Sequence, residues 1–451
     1  MTRPAGTTDA PSPDAALAPD DGPAPEHASV PGGGPAPEHA SVPGDGPAPE
    51  HASVPGDGPT PGDGLASGDG PSPGDGPTPD DGPDDAPSPP PATPTEATQA
   101  AAETPSPEPG RRRRARLARR IVLGVVLVLL LPVLAAEAAL RINGTGDPVD
   151  GTRSRGRDAV WLGHAWVDGR KTDADIAALA RRLAGTGIRD LYVHTGPLEH
   201  DGTLERSLYP RARWLTGAVH RALPGVRVQA WLGDVLATEG PDGMRLDRPA
   251  TRAAVTGSAR RVLAEGFDGV HFDLEPAHSG DAGYLDLLDR VREVTAARDA
   301  VLSVAAHQID PLPALHAVAG ALTGHPKWWS QEYFGQVARR VDQIAVMSYD
   351  TMQPTEGTYG GYVAQQTSLA LEATPDGTDL LMGLPFYHEN RFGHRAHAET
   401  VPAAVRGVRL GLSRTDADRA RFGVALYVDF AATEADWTAY RADWVSPPGG
   451  A

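Results

Sequence analysis

The sequence predicts an α/β chain whose C-terminal two-thirds forms a (β/α)8 TIM barrel, preceded by a disordered tail and one transmembrane helix. Three observations predict it. From about residue 158 onward, short apolar runs alternate with helical patterns, the grammar of a parallel sheet. The runs count to about eight within roughly 290 residues, the size of such a barrel. Finally, titratable and aromatic side chains gather where the runs end, and in this architecture the strand ends are where chemistry sits.

The chain opens on a segment that cannot fold in the same way. Residues 1–110 hold 19 acidic residues against one base, Arg3, so the whole formal charge of −18 lies there and the rest is neutral. Rich in Pro, Gly and Asp, the segment has too few apolar side chains to offset the entropy of ordering it. Within it GPAPEHASVPGG at 22–33 recurs at 34–45 and 46–57 with one Gly-to-Asp change. A 12-residue period without apolar positions to stack predicts an extended spacer rather than a solenoid.

Next come a polybasic flank, RRRRARLARR at 111–120, and the apolar run IVLGVVLVLLLPVLAAEAAL at 121–140. The run is long enough for one membrane-spanning helix. The arginines before it predict a single-pass cell-membrane protein with its N-terminus cytoplasmic and its C-terminal domain extracellular. A cleaved signal segment and a buried core helix are the competing readings. A linker at 141–157 leads to the barrel at 158–445.

Strands are expected at 158–163, 188–194, 226–232, 268–274, 300–306, 342–348, 379–385 and 422–428. Helices are expected at 173–185, 211–223, 249–265, 281–297, 329–340, 359–373, 412–420 and 433–442. An open doubly wound sheet is the alternative, weakened by the lack of a G-x-G-x-x-G after the first strand.

The fourth run carries the chemistry. In FDGVHFDLEP, Val270, Phe272 and Leu274 point one way, while His271, Asp273 and Glu275 point the other, toward the barrel axis. Crowded carboxylates raise at least one pKa, and a carboxyl still protonated near neutrality can protonate a leaving group. Glu275, nearest the mouth, is the expected acid, with Asp273 one pleat deeper. A polar cluster that merely closes the barrel is the bland alternative.

DGVHFDLE at 268–275 resembles the D-x-x-D-x-D-x-E signature of glycoside hydrolase family 18, the chitinases and endo-N-acetylglucosaminidases. VMSYD at 346–350 resembles the family's M-x-Y-D on strand six, and MGLPFY at 382–387 its G-x-P-x-Y-type strand seven. The resemblance implies Glu275 as proton donor, with Asp273 and Tyr349 holding the 2-acetamido group of an N-acetylhexosamine glycan, and Asp350 supporting that site. It also implies substrate-assisted hydrolysis that retains the anomer. Three departures stand out: His271 replaces the family's inner Asp, WLGD at 231–234 replaces S-x-G-G, and Tyr427 stands where a Trp often floors the sugar site. A protonated His271 would hold Asp273 ionised, and a neutral one would not.

Trp231, Tyr387 and Tyr427, beside strand ends, complete the expected substrate contacts, with His271 and Asp350. His388, His394 and His397 fall in a loop after strand seven, where substrate contact and solvated surface are equally open readings. The chain has no cysteine and no H-x-H on its first strand, so neither a metal site nor a cofactor is expected. No nucleic-acid patch, phosphate loop or serine nucleophile elbow occurs, and the oligomeric state stays open. A non-catalytic carbohydrate-binding protein on the same barrel is the second functional reading, and a surface module that only presents loops is a third.

Overall fold

The structure, a computed structural model, describes residues 109–324, 327–391 and 393–445. Apart from its last two residues, the tail expected at 1–110 lies outside them, with its repeats. The first element is helix α1, Pro109–Asn143. Among the described residues one helix, within α1 at 116–143, is long and apolar enough to cross a membrane. Its described apolar side chains between Ile121 and Leu134 are exposed, which removes the buried-core reading: a core helix hides such a face.

The strands that follow are β1 Asp158–Leu162, β2 Ile188–Pro197, β3 Arg227–Val235, β4 Gly269–Glu275, β5 Val301–Ala306, β8 Gln343–Val346, β9 Asp379–Pro385 and β10 Phe422–Tyr427. All neighbours pair in parallel, and β1 pairs with both β2 and β10, which closes an eight-stranded barrel. The helices between them are α2 Asp173–Leu183, α3 Ala212–Ala222, α4 Pro249–Ala264, α5 Ala282–Ala296, α7 Gln331–Ala338, α8 Glu356–Ala373, α9 Val401–Thr415 and α10 Glu434–Ala439. Between β5 and β8 the chain makes an excursion the sequence reading missed: β6 Gln308–Ile309, helix α6 Leu315–Thr323, and β7 Trp328–Trp329, which pairs with β6.

Helix placement needs one correction. The seventh barrel helix was expected at 412–420 but runs from Val401 to Thr415, and the segment after it turns into β10. Thr400 caps it by accepting from the Ala403 amide, and Pro402 fits the first turn, where no donor is needed. Gly407 and Gly411, which weaken a helix taken alone, let α9 lie flat on α8. A Cβ at Gly407 would strike the Gly360 carbonyl, and one at Gly411 would come within 2.6 Å of the Ala364 carbonyl.

Alternation along the strands divides the apolar residues into two layers. Val270, Phe272 and Leu274 join the layer between strands and helices, with Leu287 and Leu288 of α5. Burial of each such side chain stabilises the fold by roughly 1.5–3 kcal/mol. A smaller layer inside the barrel contains Ala159, Trp161, Tyr192, Trp231, Ala345, Leu381 and Ala425. The stretch after α1 is tied to α9: Ser413 Oγ accepts from the Val149 amide at 2.8 Å, and Arg409 Nε donates to the Thr152 carbonyl at 3.0 Å. The barrel is then sealed below by Asp158, which accepts from Tyr440 and Trp444 at 2.7 and 3.0 Å.

Candidate active site

The inside of the barrel is best followed from its floor upward. Asp190 of β2 is fully buried and takes two hydrogen bonds from Arg227, both 2.7 Å. Gln229 and Gln343 also donate to it, at 2.9 and 3.0 Å. Gln343 Oε1 accepts from the Tyr192 hydroxyl at 2.7 Å, and Gln229 Oε1 accepts from Ser303 at 2.7 Å. Ser303 has thereby given its proton away, so across the 2.7 Å contact it accepts from His271 Nδ1. On the other side of the ring, His271 Nε2 accepts from Trp161 Nε1 at 3.1 Å.

Those two contacts assign the tautomer: His271 carries its proton on Nδ1 and has no place for a second. Burial pushes its pKa down to about 3, in agreement. The ring is wholly enclosed and stacked on Tyr192 at 3.8 Å between centroids. His271 was expected among the substrate contacts; the structure encloses it completely, with both ring nitrogens engaged, as the top of a satisfied polar column. It is the neutral form that is present, and it makes no hydrogen bond to Asp273.

One pleat higher the pattern changes. Asp273 Oδ2 accepts from Trp231 Nε1 at 3.0 Å, whereas Oδ1 is enclosed with no hydrogen-bond partner among the described residues. Burial raises its pKa to about 6 against the opposing effect of the Trp231 bond. Trp231 is 5 % exposed, so it serves Asp273 more than it offers an open sugar platform. Glu275, level with Val235 on β3, ends β4 with Oε1 3.5 Å from His307 Nε2. Burial, then the charges of Asp273 and Asp350, hold its carboxyl well above the usual glutamate range. Glu275 is therefore the group of the pair that keeps a proton.

The far wall comes from the ends of β8, β9 and β10. Tyr349 stacks on Tyr427 at 5.2 Å and meets Tyr387 edge-on at 5.9 Å. A glycine in the β9 motif makes room for it, since a Cβ at Gly383 would come within 2.8 Å of the Tyr349 ring. Asp350 adopts a left-handed backbone, φ 56°, and is heavily tethered. Its Oδ1 accepts from the Tyr387 hydroxyl at 2.6 Å, its Oδ2 from Arg391 at 2.8 Å, and its carbonyl from Lys327 Nζ at 3.0 Å. Burial would raise the Asp350 pKa, but the His394 contact, the Arg391 charge and the Tyr387 bond outweigh it and hold it below the usual range.

Glu275, Asp273, Tyr349, Asp350, Trp231, Tyr387 and Tyr427 thus meet around one mouth, and His271 lies beneath it. The sequence reading missed Ser303 and Gln229 under His271, and Arg391, Glu399 and Lys327 around Asp350; Trp161 and His394 stood out in the sequence but without these positions. Of the three loop histidines, His388 pairs with Asp436 at 2.9 Å and His397 with the Pro354 carbonyl at 3.2 Å, while His394 is enclosed. Asp350, His394 and Glu399 bring ligand-type atoms within 4.8 Å of one another. Arg391 beside them already supplies one positive charge, which lessens the attraction of that cluster for a divalent ion.

No family model matches the chain, and no curated protein matches it. Solved structures do. Among them is the Bacillus megaterium spore cortex-lytic enzyme SleL, with 11 % identity over 65 % of this chain and 75 % of that one, TM-score 0.46. A chitinase from Chromobacterium violaceum matches at 13 % identity over 63 % of this chain and 97 % of that one, TM-score 0.44. A Group IV chitinase of Ostrinia furnacalis, in complex with allosamidin, matches at 18 % identity over 51 % and 66 %, TM-score 0.36. The structural neighbours of this chain therefore include chitinases and spore cortex-lytic enzymes at low identity, and the fold it presents is its own closed eight-stranded barrel.

Proposed function

We propose that the barrel is a retaining glycoside hydrolase acting on glycans that carry an N-acetylhexosamine at the cleaved position, with Glu275 as general acid. The observation that carries this reading is the contrast in protonation at the end of β4. Glu275 sits at the barrel mouth with its carboxyl held well above the usual range by burial and by two carboxylate neighbours, while Asp273 titrates near 6. A protonated acid beside an ionisable carboxylate is the arrangement glycosidic cleavage needs. Glu275 protonates the departing oxygen. Asp273 and Tyr349 orient the acetamido group, whose oxygen attacks the anomeric carbon, so no second enzymic nucleophile is required. Asp350 and Tyr387 form the wall, and Tyr427 lies beside Tyr349 as a ring surface for the sugar.

The test is hydrolysis of a panel of chromogenic N-acetylhexosaminides and oligomers by wild type and Glu275→Gln. The reading expects release by wild type and a loss of roughly 10²–10⁴-fold in the variant. If wild type cleaves nothing while still retaining an N-acetylhexosamine oligomer on a column, the barrel is a carbohydrate-binding protein. The inertness of His271, fully engaged by Trp161 and Ser303 and giving Asp273 no hydrogen bond, is the feature that favours this second reading.

The exposed apolar face of α1 and the basic flank before it support anchoring by one helix at 121–140, with the barrel at 158–445 outside the cell and the tail at 1–110 within. External protease on intact cells should reach the barrel and leave the tail whole; the opposite pattern reverses the topology.

A further inference from the structure

The segment after β8 and the loop after β9 are zipped together by five contacts besides the Tyr387–Asp350 bond. Arg391 and His394 reach Asp350, the Thr351 amide donates to Glu399 Oε1 at 3.0 Å, the Met352 amide to the Gly393 carbonyl at 2.9 Å, and His397 to the Pro354 carbonyl. The seam holds two non-glycine residues in the left-handed backbone region, Asp350 at φ 56° and Met352 at φ 62°. Such residues relax unless their surroundings fix them.

His394 lies between Asp350 of the segment after β8 and Glu399 of the loop after β9. It is 1 % exposed, with Nδ1 3.2 Å from Asp350 Oδ1 and 3.3 Å from Glu399 Oε2, both ion-pair distances. Two carboxylates aimed at one ring nitrogen repel each other unless a positive charge lies between them. Asp350, Glu399, Tyr387 and Arg391 lie around it, and Lys327 and Tyr359 act on the same two carboxylates. Arg391 pairs with Asp350, Lys327 adds its charge to the field of both carboxylates although burial works against it, and His394 is the ring within 3.3 Å of both, where an imidazolium joins them directly.

We propose that His394 is a positioning residue, a protonated latch that joins Asp350 to Glu399 and thereby holds the wall of the mouth in its working shape. Desolvation of the ring opposes the charge, but Asp350 and Glu399 outweigh it and lift the His394 pKa to about 9. The latch is therefore closed through the neutral range and opens as pH rises through that value. Its relevance to turnover rests on the glycosidase reading; its existence does not.

Hydrogen exchange on the full chain, corrected for the intrinsic pH dependence of exchange, reads the latch without any substrate. Amides of 350–354 and 393–399 should lose protection with a midpoint near pH 9 in wild type. His394→Gln should show about tenfold less protection than wild type at neutral pH and no midpoint, the size expected for removing one buried charge contact. Glu399→Gln keeps the acceptor for Thr351 but removes a charge, so its midpoint should fall below that of wild type. A wild-type seam with no midpoint between neutrality and high pH overturns the proposal. So does loosening by a chelator at neutral pH with recovery on adding zinc, which would make the cluster a metal site. Where wild type turns over substrate, the KM of His394→Gln should rise more than its kcat falls; a barrel that hydrolyses nothing removes the glycosidase reading and leaves the exchange result intact.

Discussion

The floor and the mouth of this barrel contain the same kinds of side chain and treat them in opposite ways. On the floor, Asp190, Arg227, Gln229, Gln343, Ser303 and His271 satisfy one another in a column in which each donor has an acceptor. At the mouth, Asp273 leaves one oxygen unpartnered, Glu275 is crowded by two carboxylates, and two residues have left-handed backbones. A buried polar group that is paired stabilises a unique packing, and one left unpaired costs stability that only a ligand or a reaction recovers. The difference separates a satisfied floor from an unsatisfied mouth within a single barrel interior, although the strand sequences look alike.

That comparison can be broken by substitution, and the largest effect should come from the floor. Asp190→Leu takes the acceptor from the partly buried Arg227 charge and from the fully buried Gln229 and Gln343 amides, and should cost roughly 3–5 kcal/mol in urea unfolding. A cost under 1 kcal/mol would mean the column is not holding the barrel together. At the mouth the sign reverses: Asp273→Asn removes a carboxylate that folding desolvates, so stability at neutral pH should rise by about 1–3 kcal/mol while hydrolysis falls. The sign follows from linkage. A carboxyl whose folded pKa is raised to about 6 is protonated more readily when folded, so its penalty is absent at low pH and grows as pH climbs through the interval up to that value. The stabilisation by Asp273→Asn should accordingly shrink as pH falls below 5.

A smaller effect tests the join between the two regions. Trp231→Phe removes the one hydrogen bond that the Asp273 carboxylate has among the described residues, so the lower limb of the pH–rate profile should move upward by about one unit with the fold intact. Trp161→Phe should do less: it leaves His271 Nε2 unpaired, costs about 1 kcal/mol, and leaves that limb where it is, because His271 is not bonded to Asp273. A matching shift in both variants would show that His271 communicates with Asp273 after all.

How much of this the sequence made legible depends on the range of the interaction. The β/α order, the eight runs and the inward set on β4 were readable because each is a local period, two for a strand and near 3.6 for a helix. Helix α9 was misplaced because Pro402, Gly407 and Gly411 look like interruptions until α8 lies against them. The excursion through β6, α6 and β7 was missed since two-residue strands carry no period. Site geometry was readable only along β4. That Trp161 would occupy one nitrogen of His271 from 110 residues away, and Ser303 the other, is a property of strand register around the barrel. The same holds for His394 and Glu399: three histidines after strand seven were a signal, but nothing local said which of them would be enclosed against Asp350.

Glu275 is expected to keep its proton near neutral pH because at the end of β4, unlike on the floor and unlike at Asp350, burial and neighbouring negative charge go uncompensated. Infrared difference spectra of wild type against Glu275→Gln measure this directly through the carbonyl band of a protonated carboxylic acid. At neutral pH the account predicts such a band in wild type that the variant lacks, disappearing only when the pH is raised well above the range of an ordinary glutamate. A wild-type spectrum in which the substitution removes carboxylate bands instead would show Glu275 already ionised, and would contradict it.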